Sequence, residues 1–306
     1  MKFITVIAFL SFNLLLISPN YSAIQIDWEK IETPLFQVYY FKAEKHYAEE
    51  LSNLLRSSYK ELSRKLELPV ASQVKVFLCP SDDIFGKLTG NYIPHWGAGV
   101  ADPTQSVIVL KSPALTEDHD GFPKLVKHEL VHIMIGQSVG PPGKLPRWFS
   151  EGIATLFSYD EHFASGKSIS KALLSDSIIP LDEIDEILKF HQVKATLAYE
   201  ESYSFTLFLQ EKFGLPMLVD LIHALNKDLT FEATFTQVFE ADLFELELEW
   251  YEFLEKKYRW RFLLDFETFL WIFILFLFIF VFVAIRFRNR RIMNRWEEEE
   301  EVANSN

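Results

Sequence analysis

The middle of the chain contains histidines and glutamates whose types and spacing could hold a metal ion. Residues 128–132 read HELVH, and eighteen residues separate His132 from Glu151. Two histidines four apart on a helix lie on one face, one turn apart, so both rings can reach one ion. Zinc accepts histidine nitrogen and carboxylate oxygen, and a catalytic site uses three protein ligands. The pattern predicts a zinc site formed by His128, His132 and Glu151.

Glu129 has a different predicted role from the three ligands. A catalytic zinc site keeps its fourth position for water. Glu129 directly follows the first ligand in sequence and would lie beside that water, where a general base must be. We therefore interpret Glu129 as a proton acceptor and not as a ligand.

Two helices must bring these groups together. An apolar run predicts a helix over residues 123–137, with Pro123 in its first turn and Gly136 and Gly140 near its end. A second helix is predicted from about Pro146. The intervening loop of roughly ten residues is long enough to carry Glu151 back toward the first helix.

With these motifs, the chain resembles the gluzincins, the zinc peptidases with two histidine ligands and one glutamate ligand. The resemblance covers roughly residues 35–258, and its nearest patterns are the aminopeptidase branch and small stand-alone peptidase MA-like domains. It depends on three stretches: HELVH at 128–132, WFSEG at 148–152 and YEESYSFTLFLQEKFG at 199–214.

The resemblance also implies roles that spacing alone does not give. In the family, a tyrosine opening the last of these helices donates a hydrogen bond to the oxyanion, and Tyr199 matches it by position. Tyr203, one turn later, is the alternative. Aminopeptidases carry a Gly-x-Met-Glu-Asn stretch before the metal helix; this chain has GAGVAD at 97–102 and lacks that glutamate. Endopeptidase and exopeptidase specificity therefore both stay open.

The fold predicted is α+β: a small N-terminal lobe with a sheet, a helical C-terminal lobe and the zinc site between them. Strands are predicted at 36–41, 74–78 and 106–110, and helices at 46–66, 82–89, 173–175, 181–190, 199–213, 216–225, 231–239 and 243–257. Residues 91–110 should form the edge of the cleft. In gluzincins an edge strand just before the metal helix binds the substrate backbone by strand addition. His95 and Trp96 could line this cleft.

Charge and cysteine content narrow the function classes. The formal net charge is −13 over 306 residues, which argues against nucleic acid as a partner because phosphate binding requires a basic face. Cys79 is the only cysteine, so an intramolecular disulfide is impossible. It is predicted to be a buried strand residue.

The two ends of the chain are hydrophobic and suggest contact with a membrane. Residues 1–23 resemble a signal peptide, although an uncleaved anchor is the alternative. Residues 24–260 would form the peptidase-like domain. Residues 268–285 contain no charge and are just long enough for a transmembrane helix. Residues 286–306 begin with several arginines, but basic residues at 256–261 also precede the helix, so charge alone is a weak guide to orientation. The predicted signal peptide decides it, with the folded domain outside the cytoplasm and residues 286–306 as a cytoplasmic tail.

Together these patterns predict a membrane-anchored zinc metallopeptidase that acts on peptides or proteins. An alternative of another class is a catalytically silent binding or assembly module on the same scaffold. The complete ligand set and the presence of Glu129 favour the enzyme. A purely structural membrane protein would leave the spacing of Glu151 unexplained.

Overall fold

The computed structural model describes residues 8–11, 27–94, 97–116, 118–140, 145–159, 164–225, 229–261 and 266–304. It divides the chain into two compact units, residues 1–258 and residues 259–306. The predicted cleft residues His95 and Trp96 lie outside the described residues.

The first unit contains a mixed sheet of six strands in the order β1-β5-β6-β4-β3-β2. The strands are β1 (Ala8–Ser11), β2 (Glu29–Glu32), β3 (Phe36–Tyr40), β4 (Val74–Cys79), β5 (Gly97–Asp102) and β6 (Val107–Lys111). The pairs β3–β4, β4–β6 and β1–β5 are parallel, and the pairs β2–β3 and β5–β6 are antiparallel. β4 and β6 are almost entirely buried, as expected for central strands covered on both faces. Cys79 is a buried free cysteine at the end of β4, as predicted.

Eleven helices are assigned among the described residues. They are α1 (Lys45–Leu66), α2 (Asp82–Thr89), α3 (Pro113–Thr116), α4 (Phe122–Val139), α5 (Arg147–Ser158), α6 (Lys167–Ser175), α7 (Gln192–Phe213), α8 (Leu215–Ala224), α9 (Phe231–Phe239), α10 (Leu243–Tyr258) and α11 (Phe266–Asn304). Short 3-10 helices cover Lys42–Glu44 and Leu181–Lys189. The predicted α+β class is confirmed: a small N-terminal sheet precedes a mainly helical remainder.

α4 lies between the sheet and the helical half of the unit, which explains why it is apolar on nearly every side. It packs against α1 and β5 in one direction and against α5 and α8 in the other. α5 in turn packs along α7. Gly152 permits this close approach: a Cβ added there would lie 2.1 Å from Thr206 Oγ1 and 2.4 Å from the Ser202 carbonyl oxygen. The predicted pair of metal-binding helices is thus held in the centre of the core.

Several predicted details differ from the structure. The strand just before the metal helix, β6, is interior because it pairs with β5 on one side and β4 on the other. β5 is the strand nearer the sheet edge, and its outer neighbour β1 comes from the segment that the sequence predicts as a signal peptide. α6 begins at Lys167 and not near Leu173. The segment predicted as a helix at 181–190 is a 3-10 helix over Leu181–Lys189.

The second unit contains one long helix, α11. Its stretch Phe269–Trp296 is long and apolar enough to cross a membrane, by length and composition. Among the described residues, none in its most apolar window is buried. An apolar helix left exposed in this way is unfavourable in water, and this agrees with the membrane-spanning segment predicted at 268–285.

Candidate metal centre

The three predicted ligands converge at one buried point. His128 and His132 lie one turn apart on α4, and Glu151 lies on α5. The Nε2 atoms of the two histidines are 3.0 Å apart. Glu151 Oε2 lies 3.3 Å from His128 Nε2 and 3.4 Å from His132 Nε2. α5 therefore brings Glu151 back to α4, as the sequence predicted.

This triangle fits a tetrahedral zinc ion. Zinc bonds to nitrogen and oxygen are about 2.0–2.1 Å long, so ligand atoms around a tetrahedral ion lie roughly 3.3–3.4 Å apart. The three ligand atoms all lie within 4.8 Å of one another, and their individual separations are close to the tetrahedral value. Two imidazoles and a carboxylate are a ligand set that zinc accepts at catalytic sites.

The protonation states also favour a bound cation. Burial lowers the pKa of His128 to about 4, so its imidazole is neutral at pH 7 and can offer a lone pair. Burial opposes ionisation of Glu151, but the adjacent His132 and His128 outweigh it and hold the pKa of this carboxyl below its usual range. The ionised Glu151 carboxylate and the neutral His128 ring can therefore both offer electron pairs to a cation.

Ser150 contacts one of the predicted ligands and was not predicted from the sequence. Its Oγ lies 3.0 Å from His132 Nδ1. In the tautomer with the proton on Nδ1, that N–H would donate to the serine oxygen and the lone pair would lie on Nε2, which faces His128 Nε2 and Glu151 Oε2. The available signal was its position directly before Glu151 on a helix that faces α4.

Glu129 lies beside this triangle without belonging to it. Its side chain is fully buried, and among the described residues neither carboxylate oxygen has a hydrogen-bond partner. Burial, with a contribution from the Glu151 carboxylate, raises the pKa of Glu129 well above its ordinary value. Burying a carboxyl group without hydrogen-bond partners costs free energy, and a nearby divalent cation would favour its ionised form. The position suits the predicted base.

β5 passes directly over Glu129, and Gly99 makes this approach possible. A Cβ added at Gly99 would lie 2.8 Å from Glu129 Oε1 and 2.7 Å from Leu125 Cδ1. The glycine is required here for space, because its neighbours on α4 occupy the volume that a side chain would need. The strand and the predicted base therefore form one wall of the site.

We expect Gly99→Ala to displace the Glu129 carboxylate while leaving the three ligands in place. Misplacing a catalytic group by about 1 Å can cost about 100-fold in rate, so peptide hydrolysis should fall by about 10–100-fold. Zinc content, measured on the same preparation, should stay at the wild-type level. Hydrolysis at the wild-type rate would show that the strand does not constrain Glu129.

Tyr199 lies in the same neighbourhood, although not at the start of its helix. α7 begins at Gln192, about two turns before Tyr199, which corrects the predicted start of this helix. The side chain is fully buried. Burial and the Glu151 and Glu129 carboxylates raise the pKa of Tyr199 well above its ordinary value, although the Arg147 guanidinium acts in the opposite direction. The alternative, Tyr203, is only half-buried.

The two glutamates after Tyr199 have structural partners. The buried Glu200 carboxylate accepts hydrogen bonds from Ser165 Oγ and from the backbone N–H groups of Ser168 and Ile169, at the start of α6. Glu201 Oε1 accepts a hydrogen bond from the backbone N–H of Ile179. These contacts hold the start of α6 and the segment at Ile179 against α7.

Comparison with known families agrees with the fold and the site. The family model of the Peptidase MA superfamily matches residues 71–256, which include the three ligands, Glu129 and Tyr199. The chain belongs to the Peptidase MA superfamily, a class of metallopeptidases. The match does not assign it to the aminopeptidase branch. No curated protein matches the chain significantly.

Proposed function

We propose that this protein is a membrane-anchored zinc metallopeptidase that hydrolyses peptide bonds outside the cytoplasm. The observation that carries the proposal is the convergence of His128, His132 and Glu151 at one buried point, with the Glu129 carboxylate beside it. Family membership supports a peptidase. The direct test is whether the purified full-length chain contains about one zinc ion and cleaves members of a broad peptide library.

The chain's own residues would divide the chemistry between them. His128, His132 and Glu151 would hold the ion, which when bound supplies a Lewis acid for the scissile carbonyl and lowers the pKa of the attacking water. Glu129 accepts the proton of that water and passes it to the leaving amine. The Tyr199 hydroxyl donates a hydrogen bond to the oxyanion that develops on the carbonyl oxygen.

β5 is the segment that we propose to bind the substrate backbone. It lies against Glu129 at Gly99. The side of β5 that pairs with β1 would be open after removal of residues 1–23, which contain β1. An extended peptide could then add to the sheet through main-chain hydrogen bonds. Cleavage of the predicted signal peptide would in this way also open the strand for substrate.

Tyr199→Phe should reduce hydrolysis by about 10²–10³-fold, the range seen when one oxyanion donor is removed. The effect should fall mainly on kcat, because the hydrogen bond strengthens as the oxyanion develops. Steady-state kinetics on a single library-derived peptide would measure it. Tyr203→Phe is the matched control and should stay near the wild-type rate; the reverse order of effects would transfer the role to Tyr203.

The proposed topology places the catalytic unit outside the cytoplasm, with α11 as the single span. Protease added to intact cells or spheroplasts should remove the catalytic unit and spare the tail at 286–306. Antibodies against a tag at the C-terminus would detect the protected fragment. Protection of the catalytic unit, with loss of the tail, would establish the opposite orientation.

A further inference from the structure

Arg147 brings a positive charge to the metal centre. It is the first residue of α5, one turn before Glu151, and its guanidinium Nη1 lies 3.9 Å from Glu151 Oε1. Only 12% of its side chain is exposed. A shielded ion pair of this kind is screened less by solvent than one at the surface, so it can influence where the carboxylate points.

The two oxygens of Glu151 have different neighbours. Oε2 faces both histidine Nε2 atoms, at 3.3 and 3.4 Å, whereas Oε1 faces the guanidinium. We propose that Arg147 is a positioning residue of the metal centre, which holds Oε1 so that only Oε2 is presented to the ion. This inference depends on the proposed metallopeptidase function and adds a residue to it.

A hydrogen bond holds the backbone of Arg147 in place, so its side chain starts from a fixed position. Asp185 Oδ1, from the 3-10 helix Leu181–Lys189, accepts a hydrogen bond of 2.7 Å from the Arg147 N–H. Pro146, at the N-cap position of α5, makes no side-chain cap, so Asp185 supplies this acceptor from elsewhere in the fold. The next residue, Trp148, is buried in the core.

The positive charge of Arg147 would by itself weaken metal binding, whereas its proposed positioning of Glu151 would strengthen it. A guanidinium near the site repels a divalent cation, so its removal without any change in Glu151 would strengthen metal binding. Orientation of Glu151 acts the other way, because groups that orient a ligand typically contribute about 10–100-fold to metal affinity. The sign of the change on substitution therefore distinguishes positioning from simple charge.

The test is zinc affinity of the full-length chain in detergent, measured by competition with a chelator of known affinity. Arg147→Met should bind zinc about 10–100-fold more weakly than the wild type. Arg147→Lys, which keeps the charge but lacks the planar fork, should show a smaller loss. Lys127→Met is the matched control: Lys127 precedes His128, is 17% exposed and pairs with Glu61, so its removal should leave affinity near the wild-type value.

Absorption of the cobalt-substituted protein gives a second readout that a general loss of stability would not produce. If Arg147→Met frees Oε1, Glu151 can bind through both oxygens, and the visible bands of four-coordinate cobalt should weaken relative to the wild type. The positioning role would be overturned if the Arg147→Met protein bound zinc at least as tightly as the wild type and its cobalt bands were unchanged. If that variant does not fold, Arg147→Lys decides by the same criterion. A wild-type chain that binds no zinc would instead refute the proposed function itself.

Discussion

The Glu129→Gln chain is expected to bind about one zinc ion and to lose nearly all peptide hydrolysis. Glutamine keeps the size and shape of the side chain, so it fits the same space beside Gly99. It cannot accept the proton of the attacking water, and general-base contributions amount to about 10²–10⁴-fold. The loss should appear mainly in kcat, since proton transfer belongs to the transition state.

Glu201→Gln provides the matched control for that result. Glu201 is another fully buried glutamate whose pKa is raised well above its ordinary value by burial, and it contacts the Ile179 backbone and not the metal centre. The same isosteric change there should leave kcat near the wild-type value. A Glu129→Gln chain that cleaves peptides as fast as the wild type would refute the role of Glu129 as general base.

His132→Ala is expected to abolish both zinc retention and hydrolysis. His132 supplies one of three ligand atoms, and its ring also contacts Ser150 and lies edge-on to His128. Loss of a ligand should exceed the effect of losing a group that only orients one, so zinc affinity should fall by more than about 100-fold. Metal analysis after dialysis against a weak chelator would measure it.

His223→Ala serves as the control for this substitution. Its Nε2 contacts the Leu66 carbonyl oxygen, away from the metal centre. This variant should retain the wild-type zinc content. Full zinc retention in the His132→Ala protein would contradict the assignment of His132 as a ligand, whatever the zinc content of the control.

The convergence of the three candidate ligands could be predicted from the sequence because helix geometry converts spacing into position. The interval between His128 and His132 places both on one face of α4, and the structure has them there. Glu151 required one further step, the return of the chain in a second helix. Glycine and proline signals between the two helices made this return predictable.

The surroundings of the site could not be predicted in the same way, because they depend on tertiary packing. Asp185 meets Arg147 across an interval of 38 residues, and no local pattern indicates that pairing. The position of β6 inside the sheet depends on its pairing with both β4 and β5. The approach of Gly99 to Glu129 likewise follows from how β5 lies on α4. A glycine in a strand sequence indicates a close approach without identifying the group that approaches.

The most direct test of the central claim is digestion of a broad peptide library by the purified full-length chain, with and without its metal. The account predicts that the zinc-loaded chain cleaves peptides, that a chelator abolishes this cleavage, and that added zinc restores it. A chain that holds about one zinc ion and cleaves no peptide would contradict the proposed peptidase activity and favour a binding or assembly module built on the same fold.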